Sequence, residues 1–303
     1  MPGGVVEPTA SGRPPDAPVG QGVWTDPSAP PMYALAGVGK TFDGRDVALT
    51  DVSLTIRRGE RIAFIGPSGA GKTTLFRVLN LTLRPTTGVL GVDGRDVVGL
   101  DGAGLRALRR RVGTVYQQHN LIGRLRVVHN VLAGHLGRWS TAKALLSLAL
   151  PQDVKSAEEA LRRVGIPEKL YARTDTLSGG QQQRVAIARV LVQDPDVILG
   201  DEPVSSVDPS LATALVELLV DLSAANRKTL LMNLHSVDLA LRYFPRVLGV
   251  QQGRIAFDLP PDRVTPDLLE TLYAGAVHED AWLPGADRVP ATSRVCRPVY
   301  GRR

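Results

Sequence analysis

The run Gly66, Pro67, Ser68, Gly69, Ala70, Gly71, Lys72, Thr73, Thr74 limits the possible folds of this chain more than any other segment. It fits the pattern G-x-x-x-x-G-K-[ST] from Gly66 to Thr73. Before it stands Arg61-Ile62-Ala63-Phe64-Ile65, an apolar run of the kind that forms a buried strand. After it Leu75, Val78 and Leu79 recur at helical spacing. Strand, glycine-rich loop and helix are the context the pattern needs. Glycines without a Cβ let backbone N–H groups crowd around phosphate oxygens. The helix start adds roughly half a positive charge at the same point. Lys72 is placed to reach the β- and γ-phosphates, and the Thr73 hydroxyl to hold Mg²⁺. A plain turn would have no reason to keep lysine and threonine in this register.

A second apolar run, Val197-Ile198-Leu199-Gly200, ends in Asp201 and Glu202. Acids at the end of a buried strand lie at the sheet edge, where α/β proteins bind ligands. Asp201 is expected to hold the Mg²⁺ shell through water. Alternation along the strand is expected to point Glu202 elsewhere, making it the candidate base that polarises the attacking water. Leu177-Ser178-Gly179-Gly180-Gln181 then combines a hydroxyl, two glycines and a helix start, which makes a second anion site.

These motifs, in this order over about residues 33–257, resemble the nucleotide-binding subunit of ATP-binding-cassette (ABC) transporters. The implied fold is α/β, a P-loop NTPase core of the ABC ATPase type with an antiparallel β subdomain and a helical, signature-bearing subdomain. The resemblance makes Ser178, Gly179, Gly180 and Gln181 the signature, which contacts ATP held by the phosphate loop of a second copy. Tyr116-Gln117-Gln118 resembles the Q-loop, with Gln117 the residue toward Mg²⁺ and the attacking water and Gln118 the lesser choice. Ser205-Ser206-Val207-Asp208 resembles the D-loop, with valine where the family usually has leucine. His235 takes the switch position that bonds the γ-phosphate. Phe42 falls where the family stacks an aromatic on adenine, with Tyr33 as the alternative. Gly200 replaces a larger apolar residue and implies a local packing difference. The implied small molecules are ATP and Mg²⁺.

The composition limits where such a chain works. In 303 residues no apolar run approaches the roughly 18–20 needed to cross a bilayer. A transport role therefore needs a separate membrane-spanning permease, and indirectly a solute-binding protein. No basic segment followed by an apolar core stands at the N-terminus, so no signal peptide is expected. The single Cys296 cannot form an internal disulfide. The expected location is peripheral, on the cytoplasmic face of the membrane. The net charge of +6 includes Arg106, Arg109, Arg110 and Arg111. No aromatics interleave them, so they read as a solvated helix face and no nucleic-acid partner is expected. Residues 1–31 read as a disordered extension rich in Pro and Gly, 32–258 as the ATPase domain with its helical subdomain at about 118–180. Residues 259–303 read as a C-terminal extension with a basic tail. No internal repeat is present, so one cassette is expected.

The solute is read from the segment between Q-loop and signature. Asn120-Leu121, Arg124-Leu125 and Gly134-His135-Leu136-Gly137 resemble the phosphonate-import branch, as does Leu241-Arg242-Tyr243 after His235. Trp139 comes sooner than in that branch. It is expected at or near the contact with the membrane partner, because interface hot spots favour tryptophan. His119, His129 and His135 lack metal-ligand spacing. The expected role is the ATP-driven motor of an importer for phosphonates or a related phosphorus oxyanion. The rivals are a motor for another solute and a cytosolic ATPase serving a phosphonate-degrading complex. Two copies would close on two ATP molecules. Long coiled-coil insertions and paired cassettes, the marks of DNA-repair and translation relatives, are not in the sequence.

Overall fold

The structure is a computed structural model that describes residues 30–204 and 208–274. Along the chain lie β1 (Pro31–Phe42), β2 (Asp46–Arg57), β3 (Arg61–Ile65), α1 (Lys72–Leu79), β4 (Thr87–Val92), β5 (Arg95–Asp96), α2 (Gly102–Arg109) and β6 (Val112–Tyr116). They are followed by α3 (Val127–Leu132), α4 (Thr141–Ala149), α5 (Val154–Arg163), α6 (Gly179–Gln193), β7 (Val197–Asp201) and α7 (Pro209–Ala225). The last are β8 (Thr229–Asn233), α8 (Val237–Tyr243), β9 (Arg246–Gln251), β10 (Arg254–Leu259) and α9 (Pro266–Tyr273).

The described residues form two sheets. One is four-stranded and antiparallel, in the order β2-β1-β4-β5. The other has the order β10-β9-β3-β8-β7-β6. Its strands β9, β3, β8, β7 and β6 run parallel, and β10 closes one edge antiparallel. The parallel strands are buried on both faces, which is why their sequences are continuous apolar runs. Alternation sorts β3 between two cores. Ile62 and Phe64 face the antiparallel sheet and α1, where the Phe64 and Phe76 rings meet edge-on at 5.2 Å. Ala63 and Ile65 join the core beneath α3, α5, α6, α7 and α8.

Two expectations change at this level. Residues beyond 258 were assigned to an extension, but α9 buries Leu269 and Leu272 in the larger core. Gln251 Nε2 also donates to the carbonyls of Thr271 and Leu272. The arginines of α2 and its end are not one solvated face. Arg109 donates twice to the Leu81 carbonyl. Arg111 bridges Asp93 and Asp196, with Nε 2.5 Å from Asp196, and Arg58 pairs with Asp93 from the other side. This clamp ties the antiparallel sheet to the parallel one. Arg106 and Arg110 do stand exposed. The segment 118–180 holds α3, α4 and α5 joined by turns and short 3₁₀ stretches. Of the extension expected at 1–31, residues 1–29 lie outside the described residues and Pro31 already opens β1; the tail with Cys296, and Ser205, Ser206 and Val207, also lie outside them.

Candidate nucleotide site

The loop between β3 and α1 is shaped by close backbone approaches. Gly66 has φ +146°, and a Cβ there would lie 2.1 Å from the Val250 carbonyl oxygen. At Gly71 (φ +98°) a Cβ would meet the Ala48 carbonyl oxygen at 2.5 Å. The loop is stitched to the turn between β9 and β10. Gly253 N–H donates to Ala70 O at 2.9 Å, and Gly253 O accepts from Thr50 N–H at 2.8 Å. No side chain caps α1, so its first amides face the loop. Lys72, only 4% exposed, donates to Gly66 O at 2.6 Å and Pro67 O at 2.9 Å. Burial lowers its pKa, and the charges of Glu202 and Asp201 oppose that shift. A cavity of about 240 Å³ is lined by Ser68 to Thr74, Ala48 and Glu202.

The acids reach this place through sheet register. Tyr116, Asp201 and Asn233 stand side by side at the ends of β6, β7 and β8. Asn233 Nδ2 donates to Asp201 Oδ1 at 2.9 Å. Burial raises the Asp201 pKa, and the Asn233 bond works against it. Gln117 follows β6 and donates its backbone N–H to Asp201 O at 3.1 Å. Glu202 is turned aside by a different device from strand alternation. The strand ends at Asp201, and Glu202 adopts φ +51°, a left-handed turn. Its N–H donates to Asn233 O, and its Oε1 lies 2.8 Å from His235 Nε2. The His235 hydrogen bond is the main cause holding the Glu202 carboxyl below its ordinary pKa. Asn233 is thus a site residue the sequence reading did not single out. Its signal was a polar residue closing an otherwise apolar strand beside the Asp201 strand.

The aromatic alternatives separate cleanly. Tyr33 is fully buried and donates its hydroxyl to Leu79 O at 3.0 Å, so it has no face to offer a base. Phe42 ends β1, half-buried, with Lys40 Nζ 5.3 Å from its ring centre. Gly200 has its packing reason too: a Cβ would meet Pro203 and Met232 at 3.1 and 3.2 Å.

The signature stands apart from this cavity. Ser178 caps α6, accepting from Gln181 N–H at 3.3 Å, while Gln181 Oε1 accepts from Ser178 N–H at 3.1 Å. A Cβ on Gly179 would meet nothing, whereas one on Gly180 would strike Leu211. None of Leu177 to Gln181 lines the cavity at Lys72. Asp208, the described end of the D-loop segment, caps α7 through Leu211 N–H at 2.9 Å. The approach to the signature is fixed by Asn130, a second residue missed in sequence. Its buried amide exchanges hydrogen bonds with the Ile122 backbone and donates to Thr174 Oγ1 at 2.9 Å.

The donors proposed for Mg²⁺ are the Thr73 hydroxyl, the Asp201 carboxylate and the Gln117 amide. All are oxygen donors, as a hard cation requires, and Thr73 is exposed beside the cavity. Among the described residues, Trp139 does not line the cleft formed by Arg106, Arg110, Leu136, Gly137 and Arg138. It packs half-buried on the core and stacks on His135 at 4.9 Å. Its chain neighbours Leu136, Gly137 and Arg138 do line the cleft.

A glycine-rich loop between a parallel strand and a helix, with two acids at the end of a second parallel strand of the same sheet, defines a P-loop nucleotide-binding cassette. The sequence model of the ABC transporter family matches residues 49–205, just over half of the chain, and the chain belongs to that family. Phosphonates import ATP-binding protein PhnC 1 of Pseudomonas aeruginosa is 49% identical over 241 residues, covering 80% of this chain and 90% of that protein. Phosphonates import ATP-binding protein PhnC 3 of Halalkalibacterium halodurans is 41% identical over 256 residues, 84% of this chain and 99% of that one. Among solved structures, cbiO1 of Clostridium perfringens, part of the cbiONQ transporter complex, is similar with a TM-score of 0.68 at 27% identity. It covers 80% of this chain and 94% of its own. The dimeric cassette MJ0796, bound to ADP and Pi after hydrolysis, gives a TM-score of 0.66 at 31% identity over 76% and 99% of the two chains.

Proposed function

We propose that this chain is the ATP-hydrolysing motor of an importer for phosphonates or a related phosphorus oxyanion. The observation that carries the motor reading is the Glu202–His235 pair at 2.8 Å beside the Lys72 cavity. The solute follows from the names of relatives that match most of the chain. Lys72 neutralises the phosphates, and the amides of Ser68 to Thr73 cradle them. Phe42 supplies the aromatic surface for adenine. Mg²⁺, held by Thr73, Asp201 and Gln117, would supply charge neutralisation between the phosphates. Asn233 orients the Asp201 carboxylate. Glu202, kept ionised by His235, accepts a hydrogen bond from the attacking water, and His235 bonds the γ-phosphate.

Because the signature is outside the cavity of its own chain, Ser178 and Gly179 act on ATP held by a second copy. Closure of the two copies then moves membrane-spanning permease subunits, served by a solute-binding protein. The exposed cleft at Arg106, Arg110 and Arg138 is the surface offered to the permease. On this reading the chain works peripherally at the cytoplasmic face. Glu202→Gln is expected to lower ATP turnover by about 10²–10⁴-fold, the usual contribution of a general base, while ATP binding persists. Size-exclusion chromatography with ATP should then show a trapped dimer. Normal turnover in that variant would remove Glu202 from its role. Co-purification from membranes, followed by ATPase stimulation with phosphonates against amino acids and phosphate, tests the solute.

A further inference from the structure

The helix α4 carries its apolar side chains outward. Leu145, Leu146, Leu148 and Leu150 are 63%, 50%, 59% and 64% exposed, and Leu136 just before the helix is 55% exposed. The helix rests on the protein through its small residues instead: Ser147 is buried and Ala144 half-buried. At about 100° per residue, Leu148, Leu145 and Leu146 span an arc of roughly 160°, and Leu150 follows them at the extended C-terminal cap. Among the described residues nothing covers this arc. A patch of this kind marks an interaction surface.

The width and charge of the arc identify what meets it. A protein groove accepts a stripe of roughly 100° on a docked helix, and a wider apolar arc suits a medium that surrounds it. Residues 136–152 contain no Asp or Glu but include Arg138 and Lys143. Lys143 Nζ stands 4.8 Å from the Trp139 ring centre, so a cation and an aromatic flank the leucines together. Nine residues at about 1.5 Å each cannot cross a hydrocarbon core of about 30 Å. We infer that α4 is an interfacial membrane contact. Its leucines enter the headgroup–acyl boundary, and Lys143 meets anionic headgroups. The surface is separate from the nucleotide cavity and does not rest on the choice of solute.

The test is sedimentation of the purified full chain with vesicles, either pure phosphatidylcholine or an equal mixture with phosphatidylglycerol. The chain should sediment with the anionic vesicles, and the partition should fall as salt is raised. Leu145→Ser with Leu148→Ser should weaken partition at least about tenfold while ATP binding is unchanged. Lys143→Gln should weaken binding to the anionic vesicles more than to the neutral ones. Absence of vesicle binding by the wild-type chain overturns the inference, as does equal binding by the leucine variant. So does a leucine variant that binds vesicles normally yet no longer holds the permease in detergent, which would assign the surface to protein contact. None of these outcomes bears on ATP turnover, so the motor reading stands or falls separately.

Discussion

Gly66 occupies a position where a methyl group has no room. Its φ of +146° belongs to glycine alone, and the Val250 carbonyl fills the space where a Cβ would point. Gly66→Ala should therefore cost about 1–3 kcal/mol in thermal unfolding and lower ATP affinity, because relief of the strain moves the amides that face phosphate. Unchanged melting and unchanged nucleotide titration would refute that account. The residues of the loop were legible because short spacing fixes them: seven residues from Gly66 to Lys72 leave the chain little freedom. Asp201 was legible for a similar reason, since a buried strand cannot carry an acid except at its end. Asn233 was not, because its contact with Asp201 depends on which strands lie side by side. Glu202 was assigned its direction for the wrong reason, since a left-handed turn at a strand end is set by its packing surroundings.

On top of the two apolar cores, a few charged contacts that sequence spacing disguised tie elements together. The four arginines near α2 look like one helix face when counted along the chain. In the fold, Arg111 reaches Asp93 in the turn between β4 and β5 and Asp196 before β7. Those acids lie far from it in sequence, so only the tertiary structure separates Arg111 from Arg106. Asp93→Asn should lower stability by about 1–2 kcal/mol, because two partly exposed ion pairs of about 0.2–1 kcal/mol each lose their charge and one acceptor. The Arg111 hydrogen bond is the chief cause of the lowered Asp93 pKa. A folded pKa below the unfolded value means this contribution is complete above about pH 3.9. It is lost as pH falls through the lower folded value. The gap between wild type and variant in urea midpoints should accordingly close at the acid end. A gap independent of pH would mean the loss is one of packing alone. That strands and helices alternate around a largely parallel sheet was readable from the apolar runs. The outward leucines of α4 were not, since an apolar run of that length reads as core.

At the scale of the whole molecule, the proposed function gives each chain two halves of different sites. The loop around Lys72 and the signature at Ser178 share no cavity within one chain, and the similar cassette MJ0796 is dimeric with ADP and Pi bound. This division makes a mixing prediction. Lys72→Ala chains and Ser178→Ala chains should each be nearly inactive alone. Mixed one to one, they form some dimers with one intact composite site, and ATP turnover should recover to a measurable fraction of wild type. If mixing adds nothing beyond the sum of the two variants, each chain must complete its own site. Ser178→Ala also removes a helix cap worth about 1 kcal/mol, so its melting temperature must be compared in parallel.

The turn at Gly253 touches both sheets and the loop at once, through Ala70 on one side and Thr50 on the other. It makes none of the phosphate contacts assigned above, yet its bond to Ala70 holds the loop from behind. Whoever wishes to loosen the grip on nucleotide while sparing the hydrolytic acids has a handle there, at a distance from the chemistry. Tuning of such a machine to the fuel level of its cell can thus proceed through a hairpin that no motif search would flag.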